Sequence, residues 1–204
     1  MSEGKEHQMR NCVDESHIPI RLLGISGSLR ESSFNRRLLL TAAELLDPPF
    51  KLHVFSGLKA VEPFDEDDEA VPPPGATAMR QAIRAARGVV IATPEYNSSL
   101  PGQLKNALDW ASRPRETSVL IGKPMLVIGA SPSRFGAAWA QDEARKVLKR
   151  SGADVLEMGF ALGNAFAEFD ESNMLRSEAY RDQLRGLLLT FVEHIRPQES
   201  IFAG

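Results

Sequence analysis

Short apolar runs alternate along this chain with segments whose apolar residues recur at helical spacing. Buried strands are predicted at 20–25, 51–55, 88–93 and 124–129, and a fifth begins at 154–156. Helices are predicted after the first strand, at about 76–86, from about 101 and at 136–149. A last helix is predicted from an apolar stripe formed by Leu184, Leu187, Leu188, Phe191 and Ile195. The pattern therefore reads as β and α elements in regular alternation.

Strands that are apolar throughout, separated by helices, indicate a parallel sheet with helices on both faces. We predict a doubly wound, five-stranded α/β fold that forms one domain over 19–204. Such sheets bind ligands beyond the carboxyl ends of their strands. The loops at 26–35, 94–101 and 130–136 follow the first, third and fourth strands, and each has an unusual composition. These three loops are the candidate site.

Composition narrows the class of protein. The 204 residues are 43% hydrophobic and carry a net charge of −3, which suits one core and argues against a nucleic-acid partner. No apolar run approaches the ~18 residues of a membrane span. Residues 1–18 are polar and are predicted to form a flexible tail without a signal peptide. The single cysteine, Cys12, excludes an internal disulfide and favours a cytoplasmic location.

The connection at 56–75 carries consecutive carboxylates and three prolines in a row. We interpret it as a solvated loop, because its carboxylates are consecutive and no histidine stands near them. The chain's four histidines are scattered and form no ligand cluster. No metal site is predicted.

The first loop reads GISGSLRESSFN at 24–35 and suits an anion. A dinucleotide fingerprint would need a third glycine, a P-loop would need Gly-Lys-Ser/Thr, and a cysteine phosphatase would need a thiolate in this loop. Hydroxyls and backbone N–H groups at a helix N-terminus can hold a phosphate, and the helix dipole assists. An ordinary cap by Ser33 or Asn35 is the alternative, although a cap requires only one such residue.

The second loop, TPEYNSSLPG at 93–102, is stiffened by two prolines and presents an aromatic ring beside an amide. Such a rigid rim suits a planar heterocycle. An ordinary connection with Tyr96 packed inward is equally consistent with this loop alone. Together with the phosphate-type loop, it favours a cofactor site.

Two motifs, GSLRESSFN at 27–35 and TPEYNSSLPGQLKNALDWASRP at 93–114, resemble the NADPH-dependent FMN reductase family, which includes quinone, chromate and azo-dye reductases. The similarity runs from about 20 to 195 and implies a flavodoxin-like fold that binds FMN. The cofactor-binding residues that it implies are Ser28, Leu29, Arg30, Glu31, Ser32, Ser33, Phe34, Asn35, Pro94, Glu95, Tyr96, Asn97 and Ser131.

Within that set, Ser28, Arg30, Ser33 and Asn35 match the family's positions at the FMN phosphate. The segment 94–97 matches the part that lies along the isoalloxazine ring, and Ser131 matches a serine beside the flavin. Ser133 and Ala137 depart from the family, because many relatives have glycine at these positions. The departure predicts a less open loop after the fourth strand.

By this resemblance, NADPH or NADH would reduce the bound FMN. The reduced flavin would then pass its electrons to a small acceptor, which could be free FMN, a quinone, an azo dye, a nitro compound or a metal oxyanion such as chromate. No protein acid or base is assigned, because the flavin carries the chemistry. The alternative is a flavodoxin-like electron carrier or a flavin-binding protein without enzymatic activity. The sequence does not decide the acceptor or the coenzyme.

The third helix also suggests an interface. Leu104, Ala107, Leu108 and Ala111 form its inward stripe, and Trp110 is predicted to lie on an exposed flank. Aromatic residues are enriched where protein surfaces associate. With the family resemblance, this predicts a homodimer, or a dimer of dimers, through the third helix.

Overall fold

A computed structural model describes residues 19–195. The strands are β1 (Ile20–Ser26), β2 (Phe50–Phe55), β3 (Gly88–Ala92), β4 (Pro124–Ala130) and β5 (Asp154–Leu162). The helices are α1 (Phe34–Leu45), α2 (Pro74–Ala85), α3 (Gly102–Ser112), α4 (Ala138–Arg150), α5 (Ala165–Glu168) and α6 (Glu178–Ile195). None of the helices between 19 and 195 is long and apolar enough to cross a membrane. The predicted tail at 1–18 lies outside the described residues.

The five strands form one sheet in the order β2-β1-β3-β4-β5, and every neighbouring pair is parallel. Helices α1 and α6 cover one face, and α2, α3 and α4 cover the other, so each face has its own buried apolar cluster. The predicted flavodoxin-like, doubly wound fold is confirmed. Because strand order reverses between β1 and β3, the crevice for a ligand lies beyond the carboxyl ends of these two strands.

The edge strand β5 differs most from the sequence-based expectation. Only its start was predicted, whereas it runs for nine residues and contains a bulge, since Met125 pairs with Val155 and Val127 pairs with Gly159. Glu157, Met158 and Gly159 are exposed there, and the Glu157 carboxylate forms an ion pair with Lys149. Exposed residues and the bulge interrupt β5. The strand therefore lacks the continuous apolar run by which the other strands are predicted.

The acidic connection after β2 is only partly the solvated loop that the sequence predicts. Asp65 and the acidic turn at 66–68 are exposed, but Leu58 and Val61 are buried. The Glu62 carboxylate accepts hydrogen bonds from the backbone N–H groups of Gly75 and Ala76, and so it caps α2. The connection is therefore a packed strap that starts the next helix.

Trp110 contradicts the expectation that it lies on an exposed flank. Its side chain is 0% exposed, and its ring packs edge-to-face on Phe64 with 5.0 Å between centroids. Its Nε1 donates a hydrogen bond of 2.9 Å to the backbone carbonyl of Glu62. The acidic connection folds over this flank of α3, which helical spacing cannot reveal. The prediction that Trp110 is exposed is therefore wrong, and this residue does not support an interface on α3.

Candidate functional site

The loops after β1, β3 and β4 meet at the carboxyl edge of the sheet and enclose a cleft of about 170 Å³. Nine of the predicted site residues line this cleft: Ser28, Arg30, Ser33, Phe34, Asn35, Pro94, Glu95, Tyr96 and Ser131. Leu29 and Glu31 line an adjoining groove instead. Ser32 and Asn97 line neither of these two concavities. The structure thus brings together most of the residues that the sequence analysis selected.

In the first loop, Ser33 caps α1. Its backbone is extended, and its hydroxyl oxygen accepts hydrogen bonds from the backbone N–H groups of Asn35 and Arg36 at 3.2 and 3.4 Å. The Ser26 hydroxyl donates to the carbonyl of Ser28 and holds the loop at its base. The cap sets the direction of α1, so the positive end of the helix dipole points at the cleft.

Asn35 ties this loop to the end of β4. Its side-chain amide donates to the carbonyl of Ala130 and accepts from the N–H of the same residue, both at 2.9 Å. The residue is 2% exposed. Asn35 therefore has a structural role, because it ties the start of α1 to the end of β4. Its contribution to phosphate binding stays a prediction.

The second loop is a tight hairpin turn. The backbones of Tyr96 and Ser99 exchange two hydrogen bonds of 3.1 Å, and Asn97 and Ser98 between them have φ values of 54° and 61°. Two consecutive left-handed residues indicate a type I′ turn, and asparagine tolerates this conformation better than most residues. Asn97 thus shapes the turn, while the Tyr96 side chain is left 49% exposed beside the cleft.

Two carboxylates fasten the second loop to α4. Glu95 accepts a hydrogen bond from the backbone N–H of Ala140 in the first turn of that helix. Glu143 lies on α4 and accepts hydrogen bonds from the second loop, from the Ser99 hydroxyl at 2.6 Å and from the Leu100 N–H at 3.2 Å. The hydrogen bond from Ser99 lowers the pKa of Glu143 below its ordinary value. The hydrogen bond from Ala140 thus holds the Glu95 carboxylate against the start of α4.

We expect Glu143→Ala to lower the free energy of unfolding by about 1–2 kcal/mol at neutral pH, since hydrogen bonds to a charged group contribute about 1.5–3 kcal/mol and partial exposure reduces that. Because the folded-state pKa is lowered, the contribution is present above the usual glutamate pKa and is lost as the pH falls through the lowered one. Urea denaturation at neutral and acidic pH measures it. Glu44→Ala, which removes an exposed helical carboxylate without an ion-pair partner among residues 19–195, is the control, and an equal loss in both variants would contradict the assignment.

The third loop is held against the end of β5. The N–H of Ser131 donates to the carbonyl of Leu162, and the Ser131 hydroxyl oxygen accepts from the N–H of Ser133 at 3.2 Å. Ala137 precedes α4 with a left-handed φ of 61°, the conformation that explains why glycine suits this position. Its side chain is 0% exposed, so the extra methyl group packs inside the protein.

Glu143 is the residue of this site that sequence reasoning missed. It stands in the middle of α4, where an acidic residue on a helix surface is ordinary, and no spacing relates it to Ser99, 44 residues earlier. Ala130 and Pro132 also line the cleft. Their position at and just beyond the end of a buried strand is the one signal that could have selected them.

The donors around the cleft fit a phosphorylated flavin. The guanidinium of Arg30 has no ion pair and no side-chain hydrogen bond to any residue between 19 and 195, so it is available to a phosphate. A Cβ atom at Gly27 would lie 2.9 Å from the Leu104 side chain and 3.2 Å from the Pro94 ring, so only glycine lets the first loop approach the second this closely. Tyr96 and Pro94 add the flat apolar surfaces that suit a ring.

Comparison with known proteins supports this assignment. The model of the family described as NADPH-dependent FMN reductase matches residues 20–167. An NAD(P)H-dependent FMN reductase of Pseudomonas aeruginosa is 45% identical over 130 residues, which cover 63% of this chain and 69% of the relative. A quinone reductase of Escherichia coli is 32% identical over 181 residues, 87% of this chain and 96% of the relative.

A solved structure agrees with these relatives. The flavoenzyme NAD(P)H:(acceptor) oxidoreductase FerB of Paracoccus denitrificans superposes with a TM-score of 0.80 at 30% sequence identity. The match covers 87% of this chain and 97% of that one. The family match over 20–167 contains all five strands and all three loops of the cleft.

Proposed function

Because the chain belongs to the NADPH-dependent FMN reductase family and is an FMN-dependent NAD(P)H oxidoreductase, we propose that it reduces quinones or similar small planar acceptors. The observation that carries this proposal is the cleft itself, which is lined by Arg30, without an ion-pair partner among residues 19–195, by the capped end of α1 and by the exposed ring of Tyr96. The cleft faces solvent, so a small acceptor has direct access to it.

Each loop has its own role in this proposal. Arg30 and the hydroxyl of Ser28 bind the flavin phosphate, assisted by the positive end of the α1 dipole. The loop with Pro94 and Tyr96 supports the isoalloxazine ring of the flavin, and Ser131 lines the cleft from the loop after β4. The bound FMN supplies the hydride and electron transfer. The protein binds and orients the reactants, and no side chain is required to move a proton.

Turnover by the purified protein tests the function. We expect a yellow protein that oxidises NADPH or NADH steadily when a benzoquinone is added, with FMN retained after gel filtration. A carrier of the flavodoxin type would bind FMN but would not sustain that oxidation without a protein partner. Failure to consume either coenzyme with any of a quinone, an azo dye, a nitro compound, free FMN and chromate would contradict the proposal.

We also propose that the protein is a homodimer or a dimer of dimers that associates at the rim of the cleft, on a surface other than the one Trp110 suggested. Phe135 and Trp139 are 44% and 51% exposed and stack edge-to-face, 4.9 Å apart, where the third loop meets α4. An exposed aromatic pair of this kind is typical of an interface. A cytoplasmic location is proposed as well, because a lone cysteine fits a reducing compartment.

Trp139→Glu tests the interface. A buried, unpaired charge opposes association, so we expect the variant to sediment as a monomer at micromolar concentration, whereas the wild type sediments as a dimer or tetramer. Ile121→Glu is the matched control, because Ile121 is 62% exposed and precedes β4, at the opposite end of the sheet from the cleft. A wild type that is monomeric at this concentration would refute the proposal.

A further inference from the structure

A second concavity adjoins the flavin cleft on the side of β2. It has a volume of about 540 Å³ and lies between the loop after β1 and the connection after β2. Ser28 and Arg30 line both concavities, so the groove continues from the phosphate end of the cleft. It opens at the carboxyl ends of β1 and β2, the same edge of the sheet at which the flavin cleft lies.

Three cations line this groove. Arg30, Arg36 and Lys59 are exposed, and in the described part of the chain none of their charged groups forms an ion pair or a side-chain hydrogen bond. Glu31 is the one carboxylate among the lining residues. Because Arg30 is assigned to the flavin phosphate, Arg36 and Lys59 are the two cations that the lining leaves for a second anion, such as a phosphate monoester. The groove thus suits a dianionic group.

An apolar wall stands beside these cations. The Phe55 ring lies across Gly57, where a Cβ atom would be 2.7 Å from the ring's Cζ, and the largely buried Leu58 also lines the groove. An aromatic ring pairs well with another flat ring at an offset, and a guanidinium binds phosphate oxygens in a bidentate manner. A purine with a nearby phosphate combines the two groups that this lining suits.

We infer that the groove binds the adenosine end of NADPH, and that Arg36 and Lys59 recognise its 2′-phosphate. The inference rests on the proposed function, since it places the coenzyme's nicotinamide at the flavin ring and lets the rest of the dinucleotide run past Arg30 into the groove. NADH has no 2′-phosphate, so the two cations select NADPH.

The double variant Arg36→Gln, Lys59→Gln tests this with the FMN-loaded protein. Charge-assisted hydrogen bonds to a phosphate make an effect of about 10- to 100-fold reasonable. We expect KM for NADPH to rise by that factor, while KM for NADH and kcat change little. By calorimetry, the wild type should bind adenosine 2′,5′-bisphosphate at least about tenfold more tightly than 5′-AMP, and the variant should lose this difference.

The matched control is Arg21→Gln, Lys51→Gln, which removes the same charge at the amino ends of the same strands, where these two exposed residues pair in register. Equal changes for NADPH and NADH, or no change for either, would overturn the inference. So would a loss of FMN, which would show that the groove holds the flavin phosphate. The calorimetric result does not depend on turnover, so a protein that binds the bisphosphate selectively but reduces no acceptor would contradict the proposed function alone.

Discussion

Arg30→Ala is expected to weaken FMN binding by about 10- to 100-fold, which corresponds to about 1.5–3 kcal/mol. Arg30 lines the cleft, and its guanidinium is not paired with any carboxylate among residues 19–195. If it binds the phosphate as proposed, removing it takes away that contact and leaves no group among residues 19–195 without an ion-pair partner. Fluorescence titration of flavin-free protein with FMN measures the dissociation constant.

Riboflavin is the control ligand for this variant, because it has the flavin ring and no phosphate. It should bind the wild type poorly and lose little affinity when Arg30 is replaced. Arg115→Ala, at an exposed site between α3 and β4, is the control variant and should change neither affinity. Equal losses for FMN and riboflavin would show that Arg30 supports the loop rather than the phosphate.

Trp110→Ala is expected to lower the free energy of unfolding by about 3–5 kcal/mol, the usual cost of removing a buried aromatic side chain. The ring is fully buried between α3 and the acidic connection, and it packs on Phe64. Its loss also removes the Nε1 hydrogen bond to Glu62, the residue whose carboxylate caps α2. Urea denaturation followed by circular dichroism measures the change.

Trp110→Phe separates packing from hydrogen bonding. It keeps an aromatic ring and removes the indole donor, and the Glu62 carbonyl still accepts from Asn106, so a smaller loss of about 1 kcal/mol is expected. Phe166→Ala is the exposed control, because Phe166 is 69% exposed. If Trp110→Ala costs no more than that control, the strap over α3 is not a stable part of the fold.

The fold could be predicted because the chain repeats one simple pattern. The runs that became β1, β3 and β4 are buried over most of their length, so apolar continuity finds them. The stripe of α6 is equally clear, and its five predicted residues are all buried. The strand β5 and the short helix α5 carry no such pattern, because one lies at an edge and the other spans four residues.

The site could be predicted as three loops but not as a set of contacts. The hydroxyl-rich loop and the loop around Tyr96 were selected because their residue types suit phosphate and a ring. The tethers from Glu143 to Ser99 and from Asn35 to Ala130 join residues 44 and 95 positions apart. Local periodicity contains no information about such pairs. The same limit explains Trp110, whose cover comes from the connection that precedes it by more than 40 residues.

The bulged edge strand β5 also bears on how copies of this protein can meet. A flat, apolar edge would offer its free backbone groups to another chain and invite fibril-like pairing. Here the bulge distorts the edge, and Glu157 places a charge on it beside Lys149. Both devices discourage edge-to-edge addition at β5. Removing the two extra residues of the bulge together with the charge of Glu157 would turn a protected edge into an aggregation-prone one.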